Sequence, residues 1–100
     1  MTKKPDPSVI AEIWDVITEQ AKNPSANSYT SRLLTDEKGI DRVLEKVGEE
    51  STEFILAVKN GMPVRTAEEA ADLLYHLLVA LQASGVELAD VLEELRRRRK

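Results

Sequence analysis

The segment from Glu69 to Leu81 constrains the fold of this chain most strongly, because its apolar residues leave only one narrow polar line. The apolar residues are Ala70, Ala71, Leu73, Leu74, Leu77, Leu78, Val79, Ala80 and Leu81. A helix that is apolar around most of its circumference is normally buried. A chain of 100 residues buries a limited fraction of its surface, and association with a second copy is a common remedy. We therefore predict an all-α bundle whose core surrounds this helix and is completed in a homodimer.

The apolar periodicity of the chain predicts four main helices and no strand. Their expected bounds are about 7–22, 36–59, 66–83 and 87 onward, with one short turn at 31–34. We expect Asp6 to cap the first helix with Pro7 in its first position, and Thr66 to cap the third. A single domain over residues 1–100 is predicted, with flexible ends at about 1–5 and 97–100.

Composition argues against several classes of protein. The formal net charge is −4, whereas nucleic-acid binders usually carry a basic patch or stripe. The absence of cysteine excludes disulfides and thiolate metal sites, and it fits a reducing compartment. The N-terminal residues lack the apolar region of a signal peptide, and the longest apolar stretch is too short to span a bilayer. We therefore predict a cytoplasmic domain with neither a nucleic-acid partner nor a membrane partner.

Two pairs of carboxylates stand out at helical spacing. Glu50 and Glu53 are three residues apart, as are Glu69 and Asp72, so each pair lies on one face of its helix. Like charges at this spacing repel, and a hard divalent cation such as Mg²⁺ removes the repulsion by taking oxygen ligands. Packing of the two helices side by side would bring four carboxylates together, with pKa values raised by their mutual repulsion. Lys46 lies on the same side and could contact a phosphate oxygen.

Some of these acids also have an ordinary structural explanation. Thr66 and Glu69 have the spacing of a capping box, in which the glutamate serves the start of a helix. Lys46 has the spacing of a helical ion pair with Glu49 and with Glu50. An acid explained in this way needs no metal.

The joint pattern nevertheless favours a metal site. Capping does not explain Asp72, and pairing with Lys46 does not explain Glu53. His76 shares the polar line of the apolar helix, but Mg²⁺ prefers oxygen ligands. We therefore expect His76 to be a hydrogen-bonded core residue, or one that supports a ligand.

Three segments carry a resemblance to a known family: Ser28-Tyr29-Thr30, residues 45–50 and residues 69–76. Together with the acidic spacing EExxE…ExxD at 49–53 and 69–72, they resemble the phosphoribosyl-ATP pyrophosphohydrolases. That family has the all-α architecture of the MazG-like nucleotide pyrophosphohydrolases. The resemblance covers about residues 8 to 95, and the chain length fits a stand-alone enzyme. It implies the second step of histidine biosynthesis, the Mg²⁺-dependent hydrolysis of phosphoribosyl-ATP to phosphoribosyl-AMP and pyrophosphate.

The resemblance also implies a role for individual residues. The implied ligands of Mg²⁺ are Glu50, Glu53, Glu69 and Asp72. Glu49 and Glu50 are the implied catalytic residues, with Glu49 polarising the attacking water or binding a second ion. The implied substrate contacts are Lys46, Ser28, Tyr29 and Thr30, the last three in a flexible segment that could reach across a dimer interface.

Two other functions remain open at this point. A house-cleaning pyrophosphatase of the same fold would act on ordinary or modified nucleoside triphosphates, and it would share the metal site. A helical dimerisation module without enzymatic activity would use the acids only as caps and surface pairs, and it would not respond to metal. Substrate comparison separates the first from the predicted enzyme, and metal titration separates the second.

Overall fold

The computed structural model describes residues 3–99, which form five helices and contain no strand. The helices are α1 (Ser8–Lys22), α2 (Tyr29–Leu34), α3 (Ile40–Lys59), α4 (Pro63–Ser84) and α5 (Leu88–Arg98). The predicted all-α fold is confirmed, and α2 takes the place of the turn predicted at 31–34. Of the predicted flexible ends, residues 1, 2 and 100 lie outside the described residues, whereas 97 and 98 belong to α5.

A hairpin of α3 and α4 forms the centre of the bundle. The two helices make the most extensive contact of any helix pair, and α1 and α2 pack on α4. Only Asn60, Gly61 and Met62 connect them, and Gly61 closes the turn with a φ of +62°, which favours glycine. Because a connection this short joins antiparallel neighbours, the middle of α3 lies beside the first half of α4. The acidic segments at 49–53 and 69–72 therefore face one groove between α3 and α4.

The buried core draws on every helix. Its members are Ile17 of α1, Leu33 of α2, Val43 of α3, Leu78 and Val79 of α4, and Leu88 of α5. Trp14 and Tyr75 pack against this cluster from its edge. Since the apolar side of α4 faces this core, the acidic end of α4 is held in a fixed position against α3.

The start of α4 corrects the sequence analysis. The helix begins at Pro63, a residue favoured in the first turn because it has no N–H to leave unpaired. The backbone N–H of Thr66 donates to the carbonyl of Met62 at 2.8 Å, so Thr66 lies within the helix. The prediction that Thr66 caps the helix is wrong. The capping-box explanation of Glu69 fails with it.

The start of α3 also differs from the prediction. The helix begins at Ile40 rather than near Asp36. A carboxylate oxygen of Asp36 accepts from the backbone N–H of Lys38 at 2.9 Å, and this contact forms a local turn. Gly39 then adopts a φ of +64°, which interrupts any helix that would run through it.

The first helix differs from the prediction by one position. It begins at Ser8, and Pro7 stands at its N-cap rather than inside it. Asp6 still serves this end, because its carboxylate accepts from the backbone N–H of Ser8 at 3.1 Å and from the Ser8 hydroxyl at 2.7 Å. The residues that mark the start were therefore identified correctly, and their exact positions were not.

The single chain buries only part of the apolar surface of α4. Leu78 and Val79 are buried, but Leu74 is 50% exposed and Leu77 is 40% exposed. Leu74 lines an apolar depression between α1 and α4, together with Val9, Ile10, Ile13, Ala71, Tyr75 and Leu78. Despite this apolar character, no helix within residues 3–99 has both the length and the hydropathy that a bilayer span requires.

Candidate active site

An open groove rich in carboxylates lies between α3 and α4, and we call it the acidic groove. It has a volume of about 690 Å³, within the usual range of small-molecule sites. Its lining residues are Lys46, Glu49, Glu50, Thr52, Glu53, Arg65, Glu69 and Asp72. Every residue predicted to bind metal or to act in catalysis therefore lies along one groove.

Three carboxylates meet at the centre of the acidic groove. Glu50 of α3, together with Glu69 and Asp72 of α4, each offers an oxygen, and these oxygens lie within 4.8 Å of one another. Glu53, the fourth predicted ligand, lines the same groove one turn further along α3. It does not contribute an oxygen to the cluster formed within the described residues.

The carboxylate of Glu69 is the most deeply placed of this cluster, with a side chain that is 7% exposed. Burial raises its pKa, and the charges of Asp72, Glu50 and Glu53 add to this effect. Arg65 opposes the shift, because its Nη2 lies 3.3 Å from Oε1 of Glu69. The raised pKa agrees with our expectation for Glu69, but its first cause is burial rather than repulsion between carboxylates.

The donor atoms fit an oxygen-preferring divalent cation. Carboxylate oxygens are the ligands of Mg²⁺ and Ca²⁺, whereas zinc sites usually include cysteine or histidine. The chain has no cysteine, and both ring nitrogens of His76 lie within hydrogen-bonding distance of other groups. Acidic clusters are common on protein surfaces, but the side chains of Glu50 and Glu69 are only 14% and 7% exposed. Carboxylates that are removed from water to this degree need a cation nearby, and Lys46 and Arg65 already supply one to Glu50 and to Glu69.

Lys46 lies at the edge of the acidic groove, one turn before Glu50. Its Nζ is 3.2 Å from Oε1 of Glu49 and 3.5 Å from Oε1 of Glu50. The hydrogen bond to Glu49 raises the pKa of Lys46, so the ammonium stays charged at neutral pH. Both ion pairs considered in the sequence analysis therefore form, and they place a cation where a phosphate could meet it.

Ser28, Tyr29 and Thr30 occupy three different environments. The hydroxyl of Ser28 caps α2 by accepting from the backbone N–H of Ser31 at 3.1 Å. Thr30 is buried, and its hydroxyl is hydrogen-bonded to that of Tyr75. In the single chain both residues hold α2 in place, and neither lines the acidic groove. Their contact with substrate remains a prediction.

Tyr29 is the member of this segment that is open to solvent, with 39% of its surface exposed. Burial of the rest raises the pKa of its phenol, while the nearby charges of Lys46 and Arg42 lower it. Its hydroxyl lies 2.8 Å from Nε2 of His76, and Nδ1 of His76 lies 2.7 Å from the backbone carbonyl of Asp72. Tyr29 is thereby linked to the turn of α4 that carries the carboxylate cluster.

Comparison with known proteins identifies the family. The family model described as phosphoribosyl-ATP pyrophosphohydrolase matches residues 10–99. The chain belongs to this family. The phosphoribosyl-ATP pyrophosphatase of Methanoregula boonei is 70% identical over 95 residues, covering 95% of this chain and 91% of the relative. That of Methanoculleus marisnigri is 63% identical over 95 residues, covering 95% and 98%.

The same sequence also matches part of a longer protein. The histidine biosynthesis bifunctional protein HisIE of Prochlorococcus marinus is 48% identical over 99 residues, which is 99% of this chain and 44% of that protein. The resemblance found in the sequence is therefore confirmed, and the chain is a member of a family of hydrolases.

One residue that lines the acidic groove of this phosphoribosyl-ATP pyrophosphohydrolase family member was not among the predicted site residues. Arg65 falls outside the helix expected at 66–83, whereas in the structure it lies in the first turn of α4 and pairs with Glu68 at 3.4 Å and Glu69 at 3.3 Å. Pro63 was the available signal, because a proline often marks the first position of a helix. A helix that starts at Pro63 puts Arg65 four residues before Glu69, on the same face.

Proposed function

We propose that the chain hydrolyses phosphoribosyl-ATP to phosphoribosyl-AMP and pyrophosphate, and that it requires Mg²⁺ in the acidic groove. The observation that carries the proposal is the meeting of Glu50, Glu69 and Asp72 in a chain that is 70% identical to a phosphoribosyl-ATP pyrophosphatase. Glu53 would extend the ligand set from the next turn of α3. When bound, Mg²⁺ would neutralise phosphate charge and orient a water molecule for attack.

The chain itself supplies a proton acceptor and a phosphate contact. In the proposed reaction, a water oxygen bonds to the α-phosphorus, the bond from that phosphorus to the bridging oxygen breaks, and pyrophosphate leaves. Glu49 lines the groove with a carboxylate that is 58% exposed and can take the proton of the water. Lys46 can donate to an oxygen of the leaving pyrophosphate and stabilise its charge.

These two roles are linked in the resting chain. The ammonium of Lys46 binds Oε1 of Glu49 at 3.2 Å, so this oxygen of the carboxylate is occupied. A phosphate oxygen that draws Lys46 away from Glu49 would release the base at the moment when substrate is in place. Arrival of substrate would in this way prepare the site for proton transfer.

The proposal extends to a cytoplasmic homodimer. Leu74 and Leu77 leave an apolar surface on α4, and the depression beside it is lined almost wholly by apolar side chains. A second copy that covers this surface would complete the burial of α4, which its sequence favours.

The test compares pyrophosphate release from phosphoribosyl-ATP, ATP, dATP and dUTP, each with and without Mg²⁺. We expect kcat/KM for phosphoribosyl-ATP to exceed the others by roughly a hundredfold, about 2.7 kcal/mol of transition-state stabilisation. Comparable rates on all four substrates would identify a house-cleaning pyrophosphatase instead. A lack of turnover under every condition would leave a helical module without enzymatic activity.

A matched pair of variants examines the site itself. Glu68 and Glu69 are neighbours on α4, and both pair with Arg65, but only Glu69 lies in the acidic groove. We expect Glu69→Gln to lower kcat/KM at least a hundredfold and Glu68→Gln to change it less than about threefold. Equal losses would mean that the charge of this turn matters, and not the position of Glu69.

A further inference from the structure

A second pocket opens where α2, the turn that follows it and the start of α3 meet. Its volume is about 290 Å³, and it is lined by Tyr29, Arg32, Leu33, Asp36 and Arg42. We call it the arginine pocket. Arg32 and Arg42 do not line the acidic groove, and they have no part in the reaction described above. The cavity suits a small ligand group rather than a whole nucleotide.

The arginine pocket lies close to the acidic groove. Arg42 precedes Lys46 by one turn of α3 and precedes Glu50 by two turns, a rise of about 12 Å along the helix. The charges of Lys46 and Arg42 both act on the phenol of Tyr29. Tyr29 lines the arginine pocket, and its bond to His76 connects it to the helix that carries Asp72. One elongated ligand could therefore reach both sites.

Both guanidinium groups of the pocket retain donors for a ligand. Arg32 donates from Nη1 to the carbonyl of Ala26 at 2.9 Å, and Arg42 donates from Nη1 to Glu45 at 3.3 Å. These are the hydrogen bonds of the two side chains within residues 3–99, and a guanidinium has five N–H donors. Glu45 is 41% exposed and also pairs with Lys38, so its contact with Arg42 is a weak surface pair.

The charge of the arginine pocket favours an anion. Asp36 is the one acid in its lining, and a carboxylate oxygen of Asp36 already accepts from the backbone of Lys38. The two arginines outweigh this single carboxylate. Two guanidinium groups that face one small cavity match the several acceptor oxygens of a phosphate better than the two of a carboxylate.

We propose that the arginine pocket binds a phosphate monoester carried on a sugar of the substrate, away from the phosphoanhydride that is cleaved. This inference rests on the proposed function, because phosphoribosyl-ATP has two anionic ends. Its triphosphate suits the acidic groove with a divalent cation, and the phosphate of its phosphoribosyl group suits Arg32 and Arg42. ATP has only the first end, so the arginine pocket gives the enzyme a physical basis for rejecting it.

The test measures the dissociation constants of phosphoribosyl-AMP and AMP by calorimetry in the presence of Mg²⁺. These ligands differ only by the phosphoribosyl group. We expect Arg42→Gln to weaken the binding of phosphoribosyl-AMP about tenfold or more, and to change the affinity for AMP less than twofold. Lys38→Gln is the matched control, because it removes an equal charge and a contact with the same Glu45 without lining the pocket. It should change neither constant more than twofold.

Each remaining outcome has a defined meaning. Arg42→Lys keeps the charge but loses the planar fork of donors, so it should weaken the binding of phosphoribosyl-AMP less than Arg42→Gln does. It also serves as the test if Arg42→Gln does not fold. Equal weakening of both ligands, or of neither, overturns the phosphate subsite. If the unaltered enzyme still hydrolyses phosphoribosyl-ATP, such a result refutes the phosphate subsite and leaves the proposed function standing. Failure of the unaltered enzyme to hydrolyse phosphoribosyl-ATP refutes the proposed function.

Discussion

The hydroxyl of Tyr29 is hydrogen-bonded to Nε2 of His76 across a distance of 2.8 Å. The direction follows from the other side of the ring, where Nδ1 lies 2.7 Å from the backbone carbonyl of Asp72. A carbonyl oxygen can only accept, so in the neutral form of the ring Nδ1 carries the proton and Nε2 accepts from the Tyr29 hydroxyl. Tyr29 therefore presents lone pairs to a ligand. It suits a hydroxyl or amino group of the substrate, such as a sugar hydroxyl next to the phosphate that Arg32 and Arg42 would bind in the arginine pocket.

Replacing Tyr29 by phenylalanine tests this polarity. We expect Tyr29→Phe to weaken phosphoribosyl-AMP roughly fivefold to tenfold, because a hydrogen bond from the ligand is lost. The affinity for pyrophosphate should change less than twofold, since phosphate oxygens would not bind this acceptor. The affinity for Mg²⁺ should also be unchanged, because the variant leaves the carboxylate cluster intact. Calorimetry with the two ligands measures the difference.

Tyr75→Phe is the control for this experiment. The hydroxyl of Tyr75 bonds to Thr30, and the ring of Tyr75 packs against His76 with centroids 5.1 Å apart. Removal of the Tyr75 hydroxyl should lower the free energy of unfolding, and it should change the affinities for phosphoribosyl-AMP and pyrophosphate less than about twofold. If Tyr29→Phe weakens pyrophosphate as much as phosphoribosyl-AMP, Tyr29 donates to phosphate and the assigned direction is wrong.

The sequence predicted the acidic groove better than its surroundings. The spacing of Glu69 and Asp72 is a local property of one helix, so periodicity alone placed both carboxylates on one face. The connection expected at 60–65 was short enough to make the two helices neighbours, which predicted that Glu50 faces the same groove; the structure shortens the connection to 60–62. Glu53 has the same spacing, but its oxygen does not join the cluster, because the register between two helices depends on side-chain packing that no pattern encodes.

Contacts between distant segments were the part that sequence could not supply. Tyr29 and His76 are separated by 47 positions, and their bond depends on how α2 docks on α4. From sequence, Ser28 and Thr30 were expected to contact substrate from a flexible segment. In the single chain, the Ser28 hydroxyl caps α2 and the Thr30 hydroxyl is hydrogen-bonded to Tyr75. Arg65 was missed for a local reason, since misplacing the start of α4 removed it from the helix.

Two hydroxyl residues should differ in their contribution to stability. Ser28 accepts from a backbone N–H at the start of α2, so Ser28→Ala should lower the free energy of unfolding by about 1 kcal/mol. Thr66 lies inside α4, where alanine is the better helix former, so Thr66→Ala should change it by less than about 0.5 kcal/mol. Urea unfolding measures both. A larger loss at Thr66 would restore the capping role that the structure denies it.

The carboxylate cluster should limit stability when no metal is present. Burial raises the pKa of Glu69, which means that the fold disfavours its ionised form. Glu69→Gln and Asp72→Asn should therefore keep or raise the melting temperature in EDTA, and both should abolish the rise that Mg²⁺ produces. Glu53→Gln should lower that rise without abolishing it, since Glu53 would add a ligand from outside the cluster of three carboxylates. Unfolding of the first two variants in EDTA would instead identify these acids as structural.

The apolar surface of α4 should be covered by a second copy of the chain. Leu74 is 50% exposed beside the depression between α1 and α4, and a glutamate there would be desolvated in a dimer. Burying one leucine contributes about 1.5–3 kcal/mol, and a symmetric dimer buries two, so Leu74→Glu should weaken association at least roughly a hundredfold.

Val64→Glu is the control, because Val64 is 74% exposed at the start of α4 and does not line the depression. Light scattering at micromolar concentration should give twice the 11.2 kDa chain mass for the unaltered protein and Val64→Glu, and the chain mass for Leu74→Glu. A monomeric unaltered protein would refute the dimer, and dissociation by Val64→Glu alone would move the interface to the other end of α4.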